Sequence, residues 1–138
     1  DIGNAYLDIC PRKTKLNEGA IEVLEALKDR FQMHILSNGF HETQIIKLEQ
    51  SKLMPYFKEI ITSEKAAAKK PNKRVYEYAQ VQTGALPHES IMIGDNLAID
   101  VVGAANFGWD AIHYNVNDEK HEYKSVKSLL EIPDLLLK

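Results

Sequence analysis

An acidic pair after a short apolar run is the part of this sequence best suited to chemistry. Ile91-Met92-Ile93 has the composition of a buried strand, and it leads directly into Gly94-Asp95, with Asp100 five residues after Asp95. Packing gives a strand no reason to end in an acid, whereas open α/β sheets bind ligands at the carboxyl ends of their strands. Carboxylate oxygens are ligands that Mg²⁺ prefers. The pair predicts a metal site, although an acid at position 100 would also interact favourably with a helix dipole.

Two other segments could supply an anion site. Ser37-Asn38-Gly39 follows the apolar run 33–36, and a hydroxyl with successive backbone N–H groups at a helix start binds anions. Lys70 is followed by Pro71, which fixes the backbone, so its ammonium could neutralise a phosphate or a developing negative charge. The alternatives are an ordinary helix cap at Ser37 and a solvated pair formed by Lys69 and Lys70.

The elements that must position these groups alternate between helix and strand. Apolar residues recur at helical spacing in some segments and form short continuous runs in others. Alternation with short links predicts an α/β fold, a parallel sheet with helices on both faces. The predicted helices cover 18–31, 41–51, 71–83, 97–107 and 125–130, and the predicted strands cover 33–36, 59–62, 90–93 and 110–114.

Length, charge and composition exclude several classes of protein. The 138 residues suffice for one ordinary domain, and 44% hydrophobic with 27% charged residues is typical of a globular chain. A net charge of -3 with scattered basic residues disfavours nucleic-acid binding, and no apolar run is long enough to span a membrane. A single cysteine, Cys10, excludes an internal disulfide and suits the cytoplasm. None of the five histidines has metal-ligand spacing, so all are expected to be structural or solvated.

In this order, the three motifs resemble those of the haloacid dehalogenase-like hydrolase superfamily. Leu36-Ser37-Asn38-Gly39 resembles its second motif, Lys70-Pro71 its third, and Gly94-Asp95 through Asp100 its fourth. The resemblance implies a three-layer Rossmann-like core that hydrolyses phosphomonoesters with Mg²⁺ through an aspartyl phosphate. It assigns phosphate binding to Ser37, Asn38, Gly39 and Lys70, direct Mg²⁺ binding to Asp95, and a role behind the ion or through water to Asp100. Ser37, Lys70, Asp95 and Asp100 would be the catalytic set.

Finer detail is similar to one subgroup, the bacterial pyrimidine 5′-nucleotidases that remove noncanonical nucleotides. Ala5-Tyr6-Leu7, the run from Leu36 to Phe40, and Lys70-Pro71-Asn72-Lys73 carry this similarity. It implies a small phosphorylated substrate, a nucleotide. Charge and hydropathy indicate neither nucleic acid nor membrane as a partner.

The superfamily's first motif, a strand that ends in Asp-x-Asp, has no clear counterpart in this sequence. In the superfamily the first Asp attacks phosphorus, and the second acts as general acid and base. Asp8-Ile9-Cys10 lacks the second acid, and apolar residues recur at helical spacing over 2–9. We therefore expect residues 1–12 to be a remnant of the helical cap and its return linker. Residues 13–138 would then be an incomplete hydrolase core without its first, central strand.

A core without its nucleophile and central strand would behave differently from a complete enzyme. We expect this chain, as the C-terminal part of a longer phosphatase, to be close to inactive alone, since phosphomonoester hydrolysis needs very large acceleration. Two exposed strand edges would favour a homodimer. The alternative is a non-catalytic module that keeps the phosphate site and binds a phosphorylated ligand or a partner.

Overall fold

A six-stranded parallel sheet organises the chain. The structure, a computed structural model, describes residues 3–8 and 14–137, so Cys10 lies outside it. The strands are β1 (Gly3–Asp8), β2 (Phe31–Ser37), β3 (Phe57–Thr62), β4 (Ser90–Gly94), β5 (Asp110–Tyr114) and β6 (Lys124–Val126). The helices are α1 (Thr14–Leu27), α2 (His41–Gln50), the single turn α3 (Ser63–Ala66), α4 (Lys73–Thr83), α5 (Gly103–Phe107) and α6 (Ile132–Leu136), with a π-helical turn at Leu97–Val102 that leads into α5.

The strand order is β3-β2-β1-β4-β5-β6, and every neighbouring pair is parallel. The predicted α/β fold with a parallel sheet is confirmed. The chain steps outward from β1 to one edge, then crosses to β4 and steps to the other edge. This reversal leaves a crevice at the carboxyl ends of β1, β2 and β4, where such sheets bind ligands.

The expected absence of a central strand is wrong, because β1 occupies that position between β2 and β4. The stretch predicted as a cap-helix remnant is therefore extended over Gly3–Asp8, where the structure describes it. Ala5, Tyr6 and Leu7 are all buried, since a central strand is covered on both faces and reads as a continuous apolar run. The two strand edges expected to favour a homodimer, those of β2 and β4, are paired with β1. Dimerisation through the edge strands β3 and β6 stays a prediction.

Two apolar clusters cover the two faces of the sheet, which confirms the three-layer arrangement. Alternate strand residues point to opposite sides: Leu7 and Ile93 lie in one cluster, whereas Tyr6 and Met92 lie in the other. Helices α1, α2 and α6 contribute to the first cluster, and α4 and α5 contribute to the second. Among the described residues, no helix combines the length and apolar character that crossing a bilayer would need.

The end of the chain differs from the sequence prediction. The segment predicted as a helix over 125–130 instead forms β6, which pairs with β5, followed by a short turn at Leu129–Glu131. Ser128 and Glu131 stabilise this turn, because the Glu131 carboxylate accepts from the Ser128 N–H at 2.8 Å and the Ser128 hydroxyl accepts from the N–H of Leu130 at 3.2 Å. Local capping and strand pairing therefore outweigh the weak helical spacing there.

Candidate functional site

The carboxyl edge of the sheet brings the predicted motifs together. Strand register places Leu7 beside Ile35 on one side and Ile93 on the other, and Asp8 beside Gly94. The β2 loop that begins at Ser37 and the β4 loop that begins at Asp95 therefore flank the end of β1. All six residues predicted for the site lie in or next to this crevice.

Lys70 forms the centre of the site. Its ammonium donates to Asp8 Oδ2 at 2.7 Å, to Asp100 Oδ1 at 2.6 Å and to the Leu36 carbonyl at 2.8 Å, so all three N–H donors are used. The Lys70 side chain is 0% exposed. Lys69 is exposed, which identifies Lys70 as the lysine that faces the site. A single buried cation thus ties together the ends of β1 and β2 and the acid after β4.

The Ser37-Asn38-Gly39 loop is fixed to the Lys70 segment through Asn38. The Asn38 amide donates to the Lys70 carbonyl at 3.0 Å, and Asn38 Oδ1 accepts from the Lys70 N–H at 2.8 Å. Ser37 is buried at the end of β2. A Cβ at Gly39 would lie 3.1 Å from Gln44 Nε2 and 3.5 Å from Ser37 Oγ, so the backbone at this glycine passes close to the hydroxyl. The loop can present a hydroxyl and backbone N–H groups toward an anion.

Asp95 and Asp100 occupy different environments. Asp95 is exposed at the crevice, whereas Asp100 is 1% exposed. Asp100 accepts from Lys70 through Oδ1 and from the Asn96 N–H through Oδ2 at 3.1 Å. Both Asp100 oxygens are therefore engaged inside the protein, which suits a supporting role, whereas Asp95 is exposed at the crevice, where it can meet a ligand.

Asp8 is the residue that sequence reasoning missed. It ends the central strand, contacts Lys70 and keeps 28% of its side chain exposed. Burial raises the pKa of Asp8, with the neighbouring charges of Asp100 and Asp95 acting in the same direction and Lys70 opposing them. A signal was present, since Ala5-Tyr6-Leu7 leads into this acid just as the apolar run of β4 leads into Gly94-Asp95.

The available donors fit Mg²⁺ better than a softer metal. Asp8 and Asp95 are carboxylates whose charges are close enough to affect the pKa of Asp8, and Mg²⁺ takes one or two carboxylates with phosphate and water oxygens. Within residues 3–8 and 14–137, no group of three or more His, Cys, Asp and Glu side chains could hold a metal alone. The arrangement therefore suits an ion that is shared with a phosphate ligand.

Gly94 lets the end of β4 approach the Asp100 carboxylate, and we expect Gly94→Ala to lower the free energy of unfolding by about 1–3 kcal/mol. An added Cβ would overlap that carboxylate and lie 2.7 Å from Asp100 Cβ, so the acid that holds Lys70 would have to move. Urea unfolding of the two proteins measures the change.

Gly19→Ala is the matched control. Gly19 lies in helix α1, and a Cβ added there would have its nearest neighbour at 3.5 Å. Alanine favours a helix over glycine by about 1 kcal/mol, so this variant should be as stable as the wild type or more stable. A Gly94→Ala protein of unchanged stability would show that Asp100 is not confined as the structure places it.

Comparison with known proteins agrees with this geometry. The family model described as "Haloacid dehalogenase-like hydrolase" matches residues 4–114. The chain is 34% identical over 142 residues to the pyrimidine 5′-nucleotidase YjjG of Escherichia coli, covering 98% of this chain and 61% of that protein. It is 36% identical over 99 residues to the pyrimidine 5′-nucleotidase PynA of Streptococcus pneumoniae, covering 70% of this chain and 42% of that protein. The chain thus spans less than two thirds of the length of each of these relatives.

Solved structures show the same fold. The HAD-hydrolase YfnB of Bacillus subtilis, in a magnesium-bound crystal form, superposes with a TM-score of 0.81 at 27% identity, over 86% of this chain and 55% of that one. An uncharacterised protein from Listeria monocytogenes superposes with a TM-score of 0.83 over 99% of this chain and 97% of its own, and its 21% identity shows likeness of fold alone. The sequence, the sheet order and the motifs at its carboxyl edge agree, and the chain belongs to the haloacid dehalogenase-like hydrolase family.

Proposed function

We propose that this chain carries the Mg²⁺ and phosphate site of a phosphatase that cleaves phosphomonoesters, with a nucleoside 5′-monophosphate as the substrate class. The observation that carries this proposal is the buried Lys70 ammonium, which donates to Asp8 and Asp100. Ser37 at the end of β2 and Asp95 directly after β4 lie at the same edge of the sheet. In this proposal Ser37 and the backbone N–H groups of Asn38 and Gly39 hold the phosphoryl oxygens, and Lys70 neutralises charge that develops on them. Bound Mg²⁺ would supply further charge neutralisation, with Asp95 as its direct ligand. The location we propose is the cytoplasm.

A cavity beside the phosphate loop supports a nucleotide as substrate. It encloses about 440 Å³, within the range of small-molecule sites. Phe40, 71% exposed at the mouth of this region, offers an aromatic face on which a base can stack. The pyrimidine nucleotidases among the relatives favour the same class of substrate. The lining residues are Asn38, Gly39, Phe40, Ser63, Glu64, Ala67, Ala68 and Lys69.

Asp8 takes the position of a nucleophile in this proposal, and the chain alone is expected to stay close to inactive on nucleotides. Covalent catalysis by a carboxylate needs the group next to the phosphate, which the end of β1 provides. The position two residues later in the sequence is Cys10, where the superfamily has its second acid. Without that acid, the protein would have no general acid at this position to donate a proton to the nucleoside leaving group.

Phosphate and Mg²⁺ binding test the site directly. We expect MgCl₂ with inorganic phosphate to raise the melting temperature of the full chain by several degrees, since a ligand that binds the native state stabilises it. Asp95→Asn should remove most of this shift. Asp110→Asn is the matched control, because Asp110 is an exposed acid at the opposite end of the sheet, paired with Lys124, and it should keep the shift.

A turnover assay distinguishes an enzyme from a non-catalytic binding module. We expect slow, Mg²⁺-dependent hydrolysis of p-nitrophenyl phosphate, whose leaving group needs no proton, and almost none of uridine 5′-monophosphate. Asp8→Asn should abolish the slow reaction. Binding without any Asp8-dependent turnover would favour the non-catalytic module, and a protein that neither binds nor turns over would refute the site.

A further inference from the structure

Two histidines join the loop after β5 to the backbone of the Asp95 loop. His113 Nε2 lies 3.0 Å from the Asp95 carbonyl oxygen, and His113 Nδ1 lies 2.8 Å from His121 Nε2. His121 Nδ1 in turn accepts from the Tyr123 backbone N–H at 3.0 Å. His113 is 1% exposed, so this chain of hydrogen bonds runs from the interior to the half-buried ring of His121.

For neutral rings, the hydrogen bonds decide which nitrogen of each histidine carries the proton. A backbone N–H can only donate, so His121 Nδ1 accepts and the proton of the neutral ring lies on Nε2. That N–H donates to His113 Nδ1 at 2.8 Å, a much shorter contact than the 3.4 Å between the Asn115 amide nitrogen and the same His121 Nε2. This leaves the His113 proton on Nε2. His113 then donates to the Asp95 carbonyl, and Glu119 Oε2 lies 3.5 Å from the same nitrogen. His121 thereby fixes the tautomer in which His113 can hold Asp95.

The loop that carries His121 is itself closed by hydrogen bonds. The Asn115 side chain, buried at the end of β5, accepts from the Glu119 N–H at 2.8 Å and donates to the Glu119 carbonyl at 3.0 Å. The two imidazoles meet nitrogen to nitrogen at 2.8 Å, which leaves no room for an ion between them. The cluster therefore acts by hydrogen bonding and not as a metal centre.

We infer that His113 is a positioning residue for the Mg²⁺ ligand Asp95, and that His121 holds it in the required tautomer. The inference rests on the proposed function, since Asp95 is the proposed direct ligand. Asp95 is exposed, and the carbonyl contact from His113 anchors its backbone from the protein side. Groups that orient a metal ligand change metal affinity by about 10- to 100-fold when removed.

Calorimetric titration of the full chain with MgCl₂ tests the inference. His113→Phe removes both ring nitrogens and is expected to raise the Mg²⁺ Kd about tenfold. His113→Gln keeps an N–H donor near the position of Nε2 and should restore the Kd to within about threefold of wild type. Phosphate affinity measured without Mg²⁺ should not change, because Ser37 and Lys70 are untouched. His88→Gln, at an exposed histidine, is the matched control.

Each outcome is decisive. Should His113→Phe not fold, His121→Phe keeps His113 but removes the group that sets its tautomer, and it is expected to raise the Mg²⁺ Kd by about threefold. The inference is overturned if His113→Phe folds and keeps the wild-type Mg²⁺ Kd, or if His113→Gln does not restore an affinity that His113→Phe has lost. If only His121→Phe folds, a wild-type Kd in that variant overturns the inference. A wild-type protein that binds no Mg²⁺ overturns the proposed function instead, and the inference with it.

Discussion

Replacing Lys70 with methionine is expected to lower the free energy of unfolding by about 3–5 kcal/mol. Methionine keeps most of the unbranched, apolar stem of the side chain and removes the charge. Asp100, 1% exposed, would then be buried without its cationic partner, and Asp8 would lose its partner as well. The Leu36 carbonyl would also lose a buried donor. A buried charge left uncompensated is among the few single changes that destabilise a domain this strongly.

Lys69→Met is the matched control, because it makes the same substitution at the neighbouring lysine. Lys69 precedes Lys70 and is exposed, so its loss should change stability by no more than about 0.5 kcal/mol. Urea unfolding at neutral pH measures both variants. If the two substitutions had equal effects, the ion pairs of Lys70 would contribute nothing to the fold. Phosphate binding should also be lost in Lys70→Met and kept in Lys69→Met.

The convergence at Lys70 could be predicted from sequence because each motif follows the end of a strand. Carboxyl ends of parallel strands meet at one edge, so Ser37 and Asp95 had to come close once the fold class was known. The sequence could not show that Asn38 holds the backbone of Lys70 through its side chain, because that contact joins residues 32 positions apart. The functional roles of these residues stay a proposal.

Strand β1 was missed for a different physical reason. A short segment with three apolar residues, Ala5, Tyr6 and Leu7, fits either a helix end or a buried strand, and periodicity alone does not separate the two. Its place was decided by pairing with β2 and β4, which are distant in sequence. The His113–His121 contact could not be predicted from the sequence for a related reason. It depends on how the loop after β5 folds back, and not on any spacing typical of metal ligands.

Acidification is expected to destabilise the protein through His34. This residue is 0% exposed in β2, and its Nε2 lies 2.8 Å from Asn4 Oδ1 on β1. Its Nδ1 has no hydrogen-bond partner in the part of the chain that the structure describes. Burial, aided by the positive charge of Lys58, lowers the pKa of His34 to about 4 from its ordinary value of 6.5. The folded protein therefore keeps this ring neutral at pH values where the unfolded chain protonates it.

The sign follows from proton linkage, in which stability rises with pH wherever the unfolded state binds more protons. The contribution of His34 is fully present above about pH 6.5 and is lost as the pH falls toward 4. The pKa difference corresponds to about 3 kcal/mol in total, of which about 2 kcal/mol is lost between pH 7.5 and pH 5. Asp8 acts in the opposite direction, because its raised pKa lets the folded state hold a proton more tightly.

A comparison of variants separates these two groups. His34→Gln keeps an amide donor for Asn4 and removes the titration, so its stability should fall by about 2 kcal/mol less than that of the wild type between pH 7.5 and pH 5. Asp8 is present in both proteins and cancels in the difference. His88→Gln, at an exposed histidine, should show the wild-type dependence. Parallel pH profiles for wild type and His34→Gln would contradict a neutral, buried His34 and the packing of β1 against β2 that keeps it so.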